Sequence, residues 1–200
     1  MAADIAEFMK RVVPWPADGE PGFINLHWTS PDLKYGMAGR PYRTLVDFMG
    51  GVEWANKHST YARDIYFCLS RQQNLKVING RAYALRNHLN TASLKAIWAD
   101  IDVKLPPKGY ATLLEALQAV KAFVEVAQIP LASALVGSGG GLHCYWISDR
   151  ELTVEEWAAY AGGLRDLAVK HGLRCDLGVT IDCARVLRVP SVHPGITVSR

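Results

Sequence analysis

From residue 95 to residue 189 short apolar runs alternate with two amphipathic stretches, and this alternation restricts the fold more than any other feature. The spacing predicts strands over 95–103, 132–136, 142–147 and 185–189. It predicts a helix over 109–128, where Leu113, Leu117, Val120 and Val124 form one stripe. A second helix starts at Thr153, which forms a capping box with Glu156, and runs to about His171, with Gly172 as its stop.

The first ninety residues give a fainter pattern. Residues 2–13 read as an amphipathic helix ending before Pro14-Trp15-Pro16. A strand is expected at Gly22–Trp28, a loop over 29–41, a helix from Tyr42 to Ala55 and a strand at Asp64–Leu69. Gly50-Gly51 weakens the middle helix. In the second half the order β-α-β-β-α-β is the ferredoxin-like pattern, with two helices on one face of a mainly antiparallel sheet. The fold class expected is mixed α/β (α+β), with an N-terminal α/β module at 1–94 and an RRM-like subdomain at 95–200, together forming one domain.

Three segments carry chemistry. The first is Trp98-Ala99-Asp100-Ile101-Asp102. On a strand, Ile97, Ala99 and Ile101 face one side while Trp98, Asp100 and Asp102 face the other. Two carboxylates ~6.6 Å apart along a strand repel each other unless a cation sits between them. They suit one or two hard divalent ions. The same pair is also compatible with the solvated edge of an amphipathic strand, although Asp is poor in strand interiors.

The second segment is Gly137-Ser138-Gly139-Gly140-Gly141-Leu142-His143. A plain hairpin needs one or two glycines. Further glycines allow close approach to the backbone, and exposed amide groups suit phosphate oxygens. His143, on the same face as Tyr145, can hydrogen-bond a phosphate; a flexible hairpin with an ordinary histidine is the other reading.

The third segment runs from Asp176 through Thr180 and Asp182 to Arg185-Val186-Leu187-Arg188. An arginine set among apolar residues needs an anionic partner, and a guanidinium matches phosphate geometry. Arg188 is the stronger candidate for a triphosphate and Arg185 the weaker, because Asp182 and Arg185 can also form a structural bridge. His193 in the following turn is a further candidate phosphate ligand.

Composition excludes several classes. The net charge of +3 permits a nucleic-acid partner without the excess of a purely electrostatic binder. Cys68, Cys144, Cys175 and Cys183 form no Cys-x-x-Cys pair, so they read as reduced core residues of a cytoplasmic protein rather than a zinc site. The N-terminal stretch is too charged for a secretory signal, and the apolar region 113–136 is broken by Glu115, Lys121, Glu125 and Pro130, so no membrane span is expected.

At these three segments the chain resembles the archaeo-eukaryotic primase superfamily. The family's strand motif Asp-h-Asp, with h apolar, is matched by Asp100-Ile101-Asp102. Its Ser-Gly-rich turn leading to a strand histidine is matched by Ser138 to Trp146. Its third motif, Asp-x-x-Val-Thr-x-Asp-x-x-Arg-h-x-Arg in replicative small subunits, is matched from Asp176 to Arg188. Pro190-Ser191-Val192-His193-Pro194-Gly195 resembles the turn that follows. The closest likeness is to primase–polymerases of phages, plasmids and other mobile elements. It covers about residues 95–195 specifically and the first ninety loosely. Gly195-Ile196-Thr197 stands where the family often has a lysine, and no zinc knob is visible.

The resemblance implies a template-dependent nucleotidyltransferase, a DNA primase or polymerase joining NTPs or dNTPs with Mg²⁺ or Mn²⁺ by a two-metal mechanism. Asp100, Asp102 and Asp176 are its implied catalytic metal ligands, with Asp182 as an alternative third acid. Ser138, Gly139, His143, Arg185, Arg188 and His193 are its implied nucleotide contacts. The implied partners are a single-stranded DNA template and a helicase domain or protein. The end at Arg200, just past the third motif, fits a minimal catalytic module or part of a longer protein. Arg40, Arg43, Lys57, Arg63, Arg71, Lys76, Arg81 and Arg86 are candidate template contacts. The alternatives are a non-catalytic replication-initiator or RNA-binding module, for which Trp98, Tyr145 and Trp146 would be stacking platforms, and a metal-dependent phosphodiesterase.

Overall fold

The computed structural model describes residues 2–32, 36–62, 64–190 and 198–199. His193 and Arg63 lie outside the described residues. In chain order the elements are α1 (Ala2–Val12), β1 (Ile24–Trp28), β2 (Ala38–Tyr42), α2 (Leu45–Lys57), β3 (Ile65–Cys68), β4 (Ser70–Gln72), β5 (Leu75–Ile78) and β6 (Arg81–Ala84). Then follow β7 (Thr91–Asp102), α3 (Leu113–Ala127), β8 (Ala134–Gly137), β9 (Gly141–Leu152), α4 (Val154–His171), α5 (Leu177–Thr180), β10 (Val186–Arg188) and β11 (Val198–Ser199).

The helix ends are built as the sequence predicts. The Thr153 and Glu156 side chains satisfy each other's backbone amides in a capping box, and Gly172 closes α4 in the left-handed region at φ 71°. Thr112 caps α3 by accepting from the Glu115 amide. The glycine pair in α2 does not interrupt it. Any side chain at Gly51 would run into the Tyr42 phenol, so the small residue lets β2 close on the helix. Residues 38–41, expected as loop, and Tyr42, expected to start the helix, are strand β2 because they pair along the whole of β1, Ile24 with Tyr42 through Trp28 with Ala38. Pro41 is tolerated because β2 is an edge strand.

The strands form two antiparallel sheets, ordered β10-β3-β1-β2 and β11-β8-β9-β7-β4, plus the hairpin β5-β6. One correction to the sequence reading follows. In the ferredoxin-like pattern the last strand closes the sheet beside the first, yet β10 pairs with β3 in the other sheet. The place beside β7 is taken by β4, an N-terminal strand. The two halves of the chain thus exchange strands.

Alternation decides the layers. Ala99 and Ile101 on β7, with Leu142 and Cys144 on β9, pack against Ala116, Val120, Phe123 and Val124 of α3 and Leu164 and Ala168 of α4. On the opposite face Leu94, Ala96, Trp98 and Tyr145 join the core of the N-terminal half. Phe8 of α1 is wedged between the sheets, edge-on to Phe67 at 6.1 Å and to Tyr145 at 5.2 Å. Trp157 lies 5.1 Å from Trp98 and donates its indole N–H to the Ala96 carbonyl at 2.9 Å. Among the described residues no helix is long and apolar enough to cross a membrane.

Candidate active site

Asp100 and Asp102 lie at the end of β7, on the face that carries Trp98. Trp98 and Tyr145 are 0% exposed, so that face is buried along its middle and opens only where the acids begin. This removes the stacking platform an RRM-type binder needs; Trp146, on the other face, is tied to the Pro130 carbonyl at 2.8 Å.

Register sets the acids against the glycine turn. Asp100 is opposite His143 and Asp102 is opposite Gly141. A Cβ on Gly141 would strike the Ile101 carbonyl, so this glycine is required by close backbone approach. Gly139 takes φ 79°, a turn conformation that favours glycine. Gly140 accepts from the Val103 amide at 2.9 Å, which folds the turn back over the end of β7.

The third acid arrives by two ties. The Asp176 amide donates to the Asp100 carbonyl at 2.8 Å. Two residues earlier, Arg174 donates to the Gly109 carbonyl at 3.0 Å and lies over the Tyr110 ring, while the Tyr110 amide donates to the Asp102 carbonyl at 3.1 Å. Asp176 therefore sits at the acidic pair although 74 residues separate it from Asp102 (176 − 102 = 74). Its carboxylate caps α5 by accepting from the Val179 amide at 3.0 Å.

Asp182 is elsewhere. Its carboxylate accepts from the Ala184 amide at 3.0 Å, and its charge acts on Cys68 and Cys183 rather than on Asp100. The alternative Asp182–Arg185 bridge is not among the ion pairs of the described residues.

The electrostatics single out Asp100. Burial pushes its carboxyl up to about 6, and the charges of Asp102 and Asp176 push the same way, against Arg185 and Lys104. His143, 4% exposed, is held down at about 4 by burial and by Arg188 and Arg185. The imidazole is therefore neutral at pH 7, and its Nε2 approach to Asp100 at 3.5 Å is a polar contact rather than an ion pair. Its Nδ1 lies 3.4 Å from the Tyr145 hydroxyl.

Arg188 reaches the same mouth from β10. It donates to the Ser138 carbonyl at 3.4 Å, lies 3.6 Å from the Asp64 carboxylate and covers the Tyr66 ring at 5.8 Å. These contacts are long and leave the guanidinium one-third exposed, at 36%. Arg185 lies close enough for its charge to oppose the rise at Asp100, and its buried Nε has no hydrogen-bond partner among the described residues. Sequence reasoning missed Lys104, which pairs with Asp102 at 2.8 Å, and Asp64 beside Arg188. Lys104 was legible as a basic residue two positions after the acid on a strand end; Asp64 carried no signal, because only the pairing of β3 with β10 brings it there.

The side chains are of the type that a divalent cation takes as ligands. Three carboxylates crowd one strand end, one has a raised pKa, and an ammonium already neutralises another. Among the described residues no three acidic, histidine or cysteine side chains stand close enough together to hold a metal ion.

No protein-family model matches the chain and no curated protein matches its sequence. Solved structures do. The AEP domain of the cyanophage S-2L primase-polymerase superposes with a TM-score of 0.59 at 18% identity, over 90% of this chain and 81% of that one. The fold is that of the archaeo-eukaryotic primase–polymerases. Primase RepB′ gives 0.54 at 9% identity over the whole of this chain, which spans 56% of that protein. The polymerase domain of Mycobacterium tuberculosis ligase D, solved in complex with DNA, gives 0.51 at 14% identity over all of this chain and 81% of that one.

Within this primase–polymerase fold the candidate template cations separate into two groups. Arg71 is held between Glu20 and Glu151, Arg86 donates to the Ala184 carbonyl, Arg43 donates to the Glu20 carbonyl and Lys57 pairs with Glu53. Arg40, Lys76 and Arg81 are exposed and in no ion pair among the described residues.

Proposed function

We propose that the chain is a template-dependent nucleotidyltransferase, a primase–polymerase that joins NTPs or dNTPs along a single-stranded DNA template. The observation that carries this reading is the junction of Asp176 to Asp100. It gathers three acids from two distant segments beside a glycine turn and an accessible arginine. Chemistry that needs only a structural ion pair has no use for three carboxylates, one with a raised pKa.

In this reading residues 1–94 and 95–200 act as one catalytic domain, supported by their exchange of strands. Asp100, Asp102 and Asp176 hold Mg²⁺ or Mn²⁺, which when bound would lower the pKa of an attacking 3′-hydroxyl and neutralise triphosphate charge. The remaining roles belong to the protein. Arg188 exchanges its long contacts to Ser138 and Asp64 for phosphate oxygens, a better match for its paired N–H groups. Ser138 and Gly139 offer the turn to the same phosphates. His143, neutral and packed against Tyr145, donates one hydrogen bond without adding charge. Arg185 offsets the acids and keeps Asp100 from rising further. His193 completes the phosphate contacts by its resemblance to the family turn.

Primer extension and de novo synthesis, run with both NTPs and dNTPs, test the proposal. The double variant Asp100→Ala/Asp102→Ala is expected to lose incorporation by on the order of 10³-fold. Incorporation that survives in it would overturn the reading, and strands shortened instead of extended would assign the site to phosphodiester hydrolysis.

A further inference from the structure

A second site lies on the N-terminal sheet, away from the acids. Between β2, α2 and the β5-β6 hairpin is a cavity of about 560 Å³. Its walls are Trp28, Trp54, Tyr61 and Tyr83, with Arg40 and Arg81 beside them, and no acidic side chain among its lining residues. Small-ligand sites span about 300–1,000 Å³, so the space suits one planar ligand with a polar appendage.

The cavity is shaped by the fold rather than by chance exposure. Trp28 is 4% exposed, edge-on to Trp54 at 5.5 Å, and its buried indole N–H has no acceptor among the described residues. Arg40 lies over the Trp54 ring at 4.8 Å, which fixes a guanidinium on the wall. Tyr83 and Arg81 come from the hairpin opposite, on β6. Sheet order β10-β3-β1-β2 puts the cavity three strand spacings from Arg188, roughly 15 Å. A strand of a few nucleotides spans that distance.

Several aromatic faces with two guanidinium groups and no carboxylate select a flat, anionic ligand. A sugar or a peptide would leave the arginines unmatched; a nucleotide uses both features, with stacking for the base and charge for the phosphate. We propose that this cavity binds one unpaired nucleotide, its base against Tyr61 and Tyr83 and its phosphate on Arg40 and Arg81. This extends the nucleic-acid reading given above, and it holds or fails separately from catalysis.

Anisotropy of a labelled oligo(dT) of about 12 nucleotides, titrated with the full chain, measures the site directly. Tyr83 and Arg81 are exposed on a hairpin and Arg40 on an edge strand, so the variants Tyr83→Ala and Arg40→Ala/Arg81→Ala are expected to melt like the wild type by circular dichroism. Each should weaken oligonucleotide binding roughly 5-fold or more. The double variant should also reduce the salt slope of log K by about 1.4, as loss of two phosphate contacts on a single strand requires. Wild-type affinity and salt slope in both variants would overturn the proposal. Competition by dTMP at millimolar concentration would assign the site to free nucleotides as well, whereas displacement only by oligonucleotides would assign it to the strand; both support the site. Incorporation by Asp100→Ala/Asp102→Ala is read in a separate assay. If that variant still incorporates nucleotides, the catalytic assignment fails and this one stands.

Discussion

The two ends of β7 carry polar clusters of opposite character. At the Thr91 end the buried amide and hydroxyl groups have partners, although the Arg71 Nε has none among the described residues. Gln72, fully buried, donates to Ser70 at 2.9 Å and to Thr91 at 3.0 Å, and accepts from the Asn87 amide and the Asn90 side chain. Asn90 in turn donates to the Asn74 and Leu85 carbonyls and accepts from Asn74. Ser93 donates to Glu151, which also holds Arg71. At the Asp100 end the same strand leaves a carboxyl with a raised pKa, a neutral buried histidine and a buried arginine Nε without a partner. A satisfied buried network rigidifies a fold, and an unsatisfied one marks the place where a ligand completes it. One strand thus separates architecture from chemistry by about ten residues, ~33 Å at most along an extended chain.

Substitutions sharpen this contrast. The largest effect is the loss of incorporation in Asp100→Ala/Asp102→Ala described above, with little change in folding. Next comes Gln72→Ala at the satisfied end, expected to destabilise the fold by about 2–4 kcal/mol, since it strands Asn90 and Thr91 together. Urea titration measures it; an unchanged midpoint would erase the distinction between the two ends.

Asp100→Asn should move stability the other way. Folded Asp100 keeps its proton up to about pH 6, against an ordinary value of 3.8, so the native state binds more protons than the unfolded chain between those values. Metal-free stability therefore declines as pH rises from about 4 to about 6 and is then flat with respect to this group. Asparagine removes the decline, giving a gain on the order of 1–3 kcal/mol at pH 7.5. A smaller or opposite shift in thermal melts would show that the carboxylate is already compensated. Mn²⁺ or Mg²⁺ should raise the wild-type melting temperature more at pH 7.5 than at pH 5, because a protonated carboxyl is a poor ligand, and should leave Asp100→Asn/Asp102→Asn nearly unmoved. The smallest effect is expected from Arg150→Ala. It breaks the exposed Arg150–Glu156 pair, which solvent screens, and leaves the capping box intact, so thermal melts should barely move.

Much of this was readable along the chain. Strand β7, helices α3 and α4, the α4 caps and the facing of Asp100 with Trp98 follow from local periodicity and capping chemistry, which depend on residues a few positions apart. Strand β2 was hidden because Gly39, Arg40 and Pro41 have poor strand propensity, and only pairing with β1 makes them extended. The pairing of β10 with β3 was hidden for a similar reason: Val186-Leu187-Arg188 fits either sheet edge, and the choice depends on β4 having already filled the place beside β7.

The amino-acid sequence by itself determined which residues carry charge, where β7, α3 and α4 run, and which side of β7 each acid faces, because these are set by covalent spacing. Only the tertiary structure decided that Asp176 rather than Asp182 meets Asp100, that Lys104 and Asp64 attend the site, and that aromatic residues from β1, α2, β6 and the turn after α2 line one cavity. Those outcomes rest on packing and backbone hydrogen bonds between segments far apart in the chain, and no local pattern encodes the winner of that competition.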